Sequence, residues 1–516
     1  MQLRTRGTRA LLAGIALAAA SALQAQSPAL NPATMTRLGS VDERFASYNI
    51  EMVEVTGGRF WAPYKTASAT PDQAASSVPV GMDPSLYRYR APIDLSNPRL
   101  RKLAAALGPA YVRVSGTWAN RTYFQDNDAP AMTTPPEGFG GVLTRAEWKG
   151  VVDFSKAVDA RIVTSFAVST GVRDANQVWT PVEAAKVLAY THSIGGSIAA
   201  AEMFNEPTMA TIGGAPKGYD GEAYGRDFKV FAAYMRKAAP GMTILGPGSV
   251  GEGGLVTSMK FIPSEDMLKA SGPGVDAFSY HFYGGVSLRC RGGLKPEGAL
   301  DASWLDRTVK EEAFYAALRD KFEPGKPMWL TETGEAACGG DPWASTFLDT
   351  FRYLNQLGVL ARLNVQTVMH NTLAASDYGL IDQATLEPRP NYWATLLWRK
   401  LMGTTVLDAG TSNGGLRVYA QCLRGAPGGV AMLVLNTSTT DARTLQLPLA
   451  SERYTLTAPE LQSTHVLLNG HELTVGADNA LPALPGLRTA SGSVPFAPAS
   501  ITFLAVRGAH NSACQR

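Results

Sequence analysis

The chain has 516 residues, 45% of them hydrophobic and 18% charged, with a formal net charge of +3. That composition is ordinary for a soluble globular protein, and the length exceeds what one small core organises, so two domains are expected. The charge is too weak to demand a polyanionic partner, and no dense Lys/Arg run points to nucleic acid.

At the amino end Arg4, Arg6 and Arg9 precede the apolar run 11–20, and small residues follow up to Ala25. This predicts a secretory signal over 1–25; the run is too short to span a bilayer, a retained anchor being the alternative. The expected product is an exported monomer, periplasmic or extracellular, with no stable membrane insertion. Four cysteines in such a protein invite pairing, and three connectivities are open. The favoured pairs are Cys422–Cys514, tying the last residues to a C-terminal unit, and Cys290–Cys338, joining two loops.

Residues 46–55 read as a first strand, and 64–85, rich in Ser, Ala, Pro and Thr, as a long loop. Asn97 followed by Pro98 opens a helix ending near Gly108. Strands then alternate with helices: strand 110–116, helix 144–160, strand 161–168, helix 181–194 capped by Thr180, and strand 198–204. Helix 221–239, strands 242–246 and 275–281, helix 303–322, strand 328–333, helix 343–357, strand 363–370 and helix 392–401 complete the series. Eight strands in that alternation indicate an α/β fold, a (β/α)8 barrel over 26–403, with a doubly wound open sheet as the rival. Residues 26–45 carry no clear period and are free to pack on the second unit. Beyond Gly403, short β-type runs at 416–423, 429–436, 444–448, 454–458, 465–467 and 501–506 predict a β-sandwich over 404–516.

Two of the strands end in carboxylates. The run 198–204 leads into Asn205-Glu206-Pro207, and Met328-Trp329-Leu330 leads to Glu332 and then a glycine pair, Gly339–Gly340. Fourth and seventh strands of a barrel open on the same face, so Glu206 and Glu332 can meet as the acid/base and nucleophile of a retaining glycosidase. Partial burial beside a second carboxylate would keep Glu206 protonated, and Asn205 could donate to a sugar hydroxyl. Arg113, on the second strand, can pair with the Glu332 carboxylate.

Five stretches together carry a family resemblance: PMWLTETGEAACGG, AEMFNEPT, AYVRVSGTW, VDAFSYHFYGG and SDYGLID followed by RPNYWATLLWRKLMGT. From about residue 100 to 514 the chain resembles the heparanase-like β-glucuronidases of glycoside hydrolase family 79. The resemblance implies retaining cleavage of β-linked glucuronic acid, with Glu206 as proton donor and Glu332 as nucleophile. It places the uronate carboxylate on backbone N–H groups of Gly339 and Gly340 and against Tyr378, with His281 and Tyr283 beside the nucleophile. The sequence departs from the vertebrate members: Ala337 and Cys338 stand where those have a tyrosine before the glycine turn, no lysine follows Glu206 within 207–212, and 64–85 is short for their excised linker.

Arg289, Arg291 and Lys295 in LRCRGGLK could grip sulfate or carboxylate, so the expected substrate is a glucuronic-acid-containing polysaccharide cut internally, heparan sulfate above all. Exo-action on terminal glucuronate is the alternative, with the loop 122–141 as the wall that would decide it. A non-catalytic carbohydrate-binding barrel is the alternative of another class. No cofactor or metal is expected: the six histidines lack ligand spacing and no glycine-rich phosphate loop opens a helix.

Overall fold

The computed structural model describes residues 28–64, 83–210, 212–253, 261–410 and 413–515. The signal expected over 1–25 and most of the loop expected over 64–85 lie outside these residues. Among the described residues, no helix is long and apolar enough to cross a membrane.

Eight parallel strands close into a barrel: β1 (Ala46–Glu51), β2 (Ala110–Ser115), β3 (Ala160–Ser165), β4 (Ile198–Glu202), β5 (Thr243–Ser249), β6 (Ala277–Tyr283), β7 (Met328–Gly334) and β8 (Val365–His370). Each has side chains facing both the barrel interior and the surrounding helices, so buried runs rather than alternation mark them in the sequence. Tyr111, Val163, Ala200, Leu245, Ala277, Trp329 and Met369 form an apolar layer of their own. Two residues further along β2 and β4, on the same face of each strand, the buried Arg113 and Glu202 replace it with a charged layer. The interior is therefore sealed below and polar above, at the carboxyl ends of the strands.

A nine-stranded antiparallel sheet follows the barrel. Its central path runs Arg37–Ser40, Met402–Leu407, Arg417–Leu423, Val430–Asn436, Ser500–Val506 and Ser451–Thr457. Along Val430–Asn436 the side chains divide strictly: Ala431, Leu433 and Leu435 join the barrel's core, whereas Val430, Met432 and Val434 join a second core. The paired strands Arg443–Leu447 and Gly492–Phe496 cover that second core through Leu445, Leu447, Val494 and Phe496. This is the expected sandwich, its inner sheet buried on both faces. The first described residues belong to it as well, since Arg37–Ser40 pairs with Met402–Leu407. Both favoured cysteine pairs are disulfides.

Local readings differ in several places. The strand expected over 46–55 stops at Glu51, where the Glu54 carboxylate accepts the Glu51 N–H at 2.7 Å and starts the helix Met52–Thr56. Thr180 does not cap the next helix; its hydroxyl donates to Val172 O at 2.8 Å, and Pro181 takes the cap position. The helix expected over 303–322 is broken at Asp306 into Ala302–Leu305 and Arg307–Phe322. That expected over 343–357 starts later and runs longer, as Phe347–Arg362, after a tight turn at Pro342–Ser345. The strands Met402–Leu407 and Gly492–Phe496 were not legible, the first because its apolar texture continues the preceding helix, the second because Gly492 and Pro495 interrupt its pattern.

The Cys422–Cys514 bridge closes a loop of 92 residues around the sandwich. Replacing both cysteines by serine is expected to lower the unfolding free energy of that unit by about 2–4 kcal/mol, read from denaturant melts under non-reducing conditions. An unchanged midpoint would show that sheet packing alone carries the unit.

Candidate active site

Arg113 stands at the centre of the charged layer. It projects inward from β2 and is 1% exposed. Its Nη1 donates to Glu332 Oε2 at 2.8 Å, its Nη2 to Glu202 Oε2 at 2.7 Å and to Asn205 Oδ1 at 2.8 Å. One guanidinium thus ties together β2, β4, the loop after β4 and β7. Burial works to strip its proton, but the charges of Glu202 and Glu332 outweigh that and raise its pKa further. Glu202, wholly buried, is disfavoured as an anion by burial, yet Arg113 and the bond to His281 hold its carboxyl well below the usual range. A buried ion pair with this many additional bonds avoids an uncompensated charge in the interior.

Glu332 faces inward because β7 carries an irregularity. Trp329 lies in the apolar layer, so alternation puts Thr331 inward and Glu332 outward. In the β6–β7 ladder, however, Tyr280 pairs with Leu330 and His281 with Glu332, skipping Thr331. This bulge turns both residues inward: Thr331 Oγ1 donates to Glu202 Oε1 at 2.7 Å, while Glu332 meets Arg113. The Tyr283 hydroxyl donates to the other Glu332 oxygen, Oε1, at 2.6 Å.

Glu206 arrives differently. The strand ends at Glu202, four residues earlier, and Glu206 itself has left-handed backbone angles, φ 51° and ψ 62°. For a residue with a Cβ that costs on the order of 1 kcal/mol and persists only where the surroundings impose it. Asn120 imposes it in part, its amide clasping Asn205 by donating to the backbone O at 2.9 Å and accepting the N–H at 2.8 Å. Burial raises the Glu206 pKa, the bond to His281 opposes that, and the neighbouring Glu332 raises it again. His281 Nδ1 lies 3.2 Å from Glu206 Oε1 and its Nε2 3.2 Å from Arg113 Nη2. Burial pulls the imidazole down, but Glu332 and the bonds to Glu202 and Glu206 overcome it and push its pKa up to about 9.

Glu206, His281 and Glu332 each present one atom, all within 4.8 Å of one another. Such a triad has the donors for a metal ion. Arg113, however, already supplies a permanent cation 2.8 Å from Glu332 and would repel a second one there.

The glycine turn after β7 has three successive left-handed residues, Cys338, Gly339 and Gly340, with φ of 65°, 82° and 79°. Gly340 N–H donates back to Ala336 O at 3.1 Å, so it is engaged within the turn rather than open to a ligand, contrary to the expectation for it. The Cys338 and Gly339 N–H groups have no acceptor among the described residues. Tyr378 packs against the turn: a Cβ on Gly340 would lie 3.0 Å from its ring. Its hydroxyl accepts from Asn371 Nδ2 at 3.2 Å, and the same amide donates to Tyr283 at 2.9 Å and Glu51 at 3.0 Å.

Arg289 departs most from expectation. Instead of reaching for a glycan it is buried behind the turn, with Nη1 donating to Gly340 O at 2.9 Å and Cys338 O at 3.2 Å, and Nε to Ala62 O at 3.0 Å. Its Nη2 pairs with Asp377. Each nitrogen of this guanidinium thus has a partner within the protein, so the side chain is held behind the turn rather than extended toward solvent.

Sequence reasoning missed Glu51, Glu202, Asn120 and Asn371. Glu202 sits in the quoted stretch AEMFNEPT as the last residue of β4, and a charged residue inside an apolar strand was the available signal. Glu51, at the end of β1, has its carboxyl pKa pushed well up by burial, with Glu332 adding to the effect. Asn120 lies in the short 3-10 helix Thr117–Arg121 and Asn371 just beyond β8, and nothing in the sequence marks either.

The raised His281 pKa implies linkage. Below about pH 6.5 folded and unfolded chains both carry the proton; above it only the folded chain does, until about pH 9. Stability is therefore expected to fall from about pH 6.5 to about 9, and His281→Gln to remove that part of the slope in denaturant melts across pH. Identical slopes for the two proteins would show that His281 is not charged in the fold.

Against known proteins, the N-terminal domain of glycosyl hydrolase family 79 matches residues 90–358, just over half of the chain. The chain is 28% identical to heparanase of Rattus norvegicus, over 93% of this chain and 98% of that protein. It is 35% identical to baicalin-beta-D-glucuronidase of Scutellaria baicalensis, over 42% of this chain and 43% of that one. Among solved structures, a 4-O-alpha-L-rhamnosyl-beta-D-glucuronidase from Fusarium oxysporum superposes with a TM-score of 0.61 at 12% identity, covering 93% of this chain and 99% of that chain, which shows a shared fold. With the barrel, the sandwich and the paired carboxylates described above, these matches show that the chain belongs to glycosyl hydrolase family 79 and is a glycoside hydrolase.

Proposed function

We propose that the protein is a retaining β-glucuronidase in which Glu332 is the nucleophile and Glu206 the acid/base. The observation that carries this reading is the separation of the two carboxylates, whose nearest oxygens lie within 4.8 Å of each other. Retention needs roughly 5 Å, for direct attack on the anomeric carbon, whereas inversion needs about 6.5–9.5 Å to admit a water. In the first step a Glu332 oxygen bonds to C1 as the glycosidic C–O bond breaks, and the Glu206 proton goes to the departing oxygen. In the second, Glu206 takes a proton from water, the water oxygen bonds to C1, and the ester to Glu332 breaks.

The residues divide the work accordingly. Burial supplies the raised pKa that keeps Glu206 protonated for the first step, and the His281 imidazolium at 3.2 Å stabilises it once the proton has gone. Arg113 and Tyr283 each take one oxygen of Glu332, fixing the plane of the carboxylate. Support for a uronic acid comes from the Cys338 and Gly339 amides, which have no acceptor among the described residues and are backed by the Arg289 guanidinium, and from the glucuronidase names of the relatives. Internal cleavage of sulfated chains loses the support of Arg289, which is committed behind the turn. The two disulfides favour an oxidising compartment, in keeping with an exported enzyme.

Glu332→Gln is expected to lower turnover of an aryl β-glucuronide at least about 10³-fold. Glu206→Gln is expected to spare substrates with good leaving groups while slowing alkyl or sugar glucuronides about 10²–10⁴-fold. Equal slowing of both classes would remove Glu206 from the acid role. Proton NMR of the first-formed product should show the β anomer; the α anomer would overturn retention.

A further inference from the structure

We infer that Glu335 and Asp341, two buried carboxyl groups at the base of the glycine turn, share one proton and in that state position the Cys338 and Gly339 amides for the sugar's carboxylate. They act through the turn rather than on the reacting atoms, and they make uronate binding depend on pH. The inference rests on the β-glucuronidase reading above and concerns how the same site keeps its grip on the acid group.

Glu335 and Asp341 bracket the turn, and both are wholly buried. Glu335 Oε2 accepts the Asp341 N–H at 2.9 Å, so the side chain at one end of the turn holds the backbone at the other. Asp341 Oδ1 accepts the Leu288 N–H at 2.8 Å, which ties the turn to the β6 loop. The backbone continues that seam: Gly284 N–H donates to Glu335 O at 3.2 Å, Ala337 N–H to Gly285 O at 2.9 Å and Ser287 N–H to Ala337 O at 3.0 Å. Cys338 is held further, its O accepting from the Ser287 hydroxyl at 3.1 Å and its sulfur bonded to Cys290. The two amides without an acceptor therefore sit between two anchored ends, and a shift of either carboxyl is passed to them.

The proton follows from what surrounds the pair. The two side chains are in hydrogen-bonding contact, and two carboxylates offer no donor, so one of them is protonated. Glu335 Oε1 and Asp341 Oδ2, the oxygens not used on backbone N–H groups, are buried and meet no other donor among the described residues. The groups that face the pair come from four elements. Arg289 of the β6 loop is bonded to Asp377 of the β8 loop, and Arg352 to Asp349 within the helix Phe347–Arg362, so both cations are already matched by an anion. Tyr64 belongs to the hairpin inserted after β1, whose strands are Gly58–Trp61 and Tyr87–Arg90, and donates its hydroxyl to Gly340 O at 3.1 Å. Burial therefore governs. It pushes the Glu335 carboxyl well up, with Asp341 adding to the effect, and it raises Asp341 although the Leu288 N–H opposes it. Loss of the shared proton to solvent would leave two touching anions in a dry interior with no cation of their own. The carboxyls then part, the bonds at both ends of the turn loosen, and a second negative charge opposes the incoming uronate.

The test follows KM and kcat for p-nitrophenyl β-glucuronide from about pH 5 to about pH 9 in the whole enzyme and in Glu335→Gln. An amide at 335 can accept the Asp341 N–H and donate to the Asp341 carboxylate, so it copies the protonated pair and has no proton to lose. Expected is a KM that rises at least about tenfold toward the alkaline end in the unaltered enzyme and no more than about twofold in the variant. Ionisation of Glu206 and His281 enters both profiles alike, so the difference between them belongs to the pair. Asp341→Asn makes the same replacement from the other side, should the first variant not fold, and is expected to flatten KM in the same way. Glu335→Ala, which removes the acceptor for the Asp341 N–H, is expected to raise KM at least about tenfold even at the acid end, with kcat falling by a smaller factor. A KM in the unaltered enzyme that does not rise with pH would overturn the inference without any variant. So would an equal rise in the unaltered enzyme and a folded Gln or Asn variant, and either result leaves the β-glucuronidase reading intact. No turnover of the glucuronide at any pH would overturn that reading instead.

Discussion

The site depends on one buried guanidinium. Arg113 takes its position from β2, and from there it fixes the carboxylate on β7, the structural carboxylate on β4 and the amide of Asn205 beside the second catalytic candidate. Without it, Glu202 and Glu332 would be anions in a wholly or nearly dry interior, a situation that costs several kcal/mol per charge. With it, the interior carries an alternating set of charges in which His281 and Arg113 oppose Glu202 and Glu332, and Glu206 is the acid left free to hold a proton. The difference in environment between two neighbouring glutamates therefore follows from where the single arginine points.

Two departures from regular backbone bring the two proposed catalytic carboxylates together. The bulge on β7 adds one residue to the strand, so that Thr331 and Glu332 both face inward. The left-handed Glu206 bends the chain after β4 so that its carboxylate turns back over the barrel mouth. Each arrangement disfavours the isolated chain and is over-determined by its surroundings: Thr331 and Glu332 by Glu202 and Arg113, Glu206 by the Asn120–Asn205 clasp. Together the bulge and the left-handed turn leave the two oxygens within 4.8 Å of each other in a largely buried site.

The rim around this pair is assembled from four loops of widely separated sequence. The β6 loop contributes Arg289 and Cys290, the β7 loop the turn and Cys338, the β8 loop Asp377 and Tyr378, and the β1 loop the hairpin. Arg289 is the common partner, bonded to three of the four by hydrogen bonds or ion pairing and stacked on Tyr64. A buried cation behind backbone amides also adds positive potential at the turn, so the same side chain contributes rigidity and charge there.

The sequence alone indicated the alternation of eight strands with helices, the β-rich C-terminal unit, the two glutamates near the carboxyl ends of the fourth and seventh strands and the arginine able to meet one of them. These follow from burial and periodicity, which act over a few residues and leave a local trace. It could not show that Arg289 turns inward, that Gly340 spends its N–H on Ala336, or that Glu202 is the second anchor of Arg113, because each depends on which distant donor finds which acceptor. Nor could it show that Glu332 faces the barrel interior, since strand alternation counted from Trp329 predicts the reverse and only the extra residue in the folded ladder corrects it. Local pattern determined which elements exist; pairing across the closed barrel decided which side chains meet.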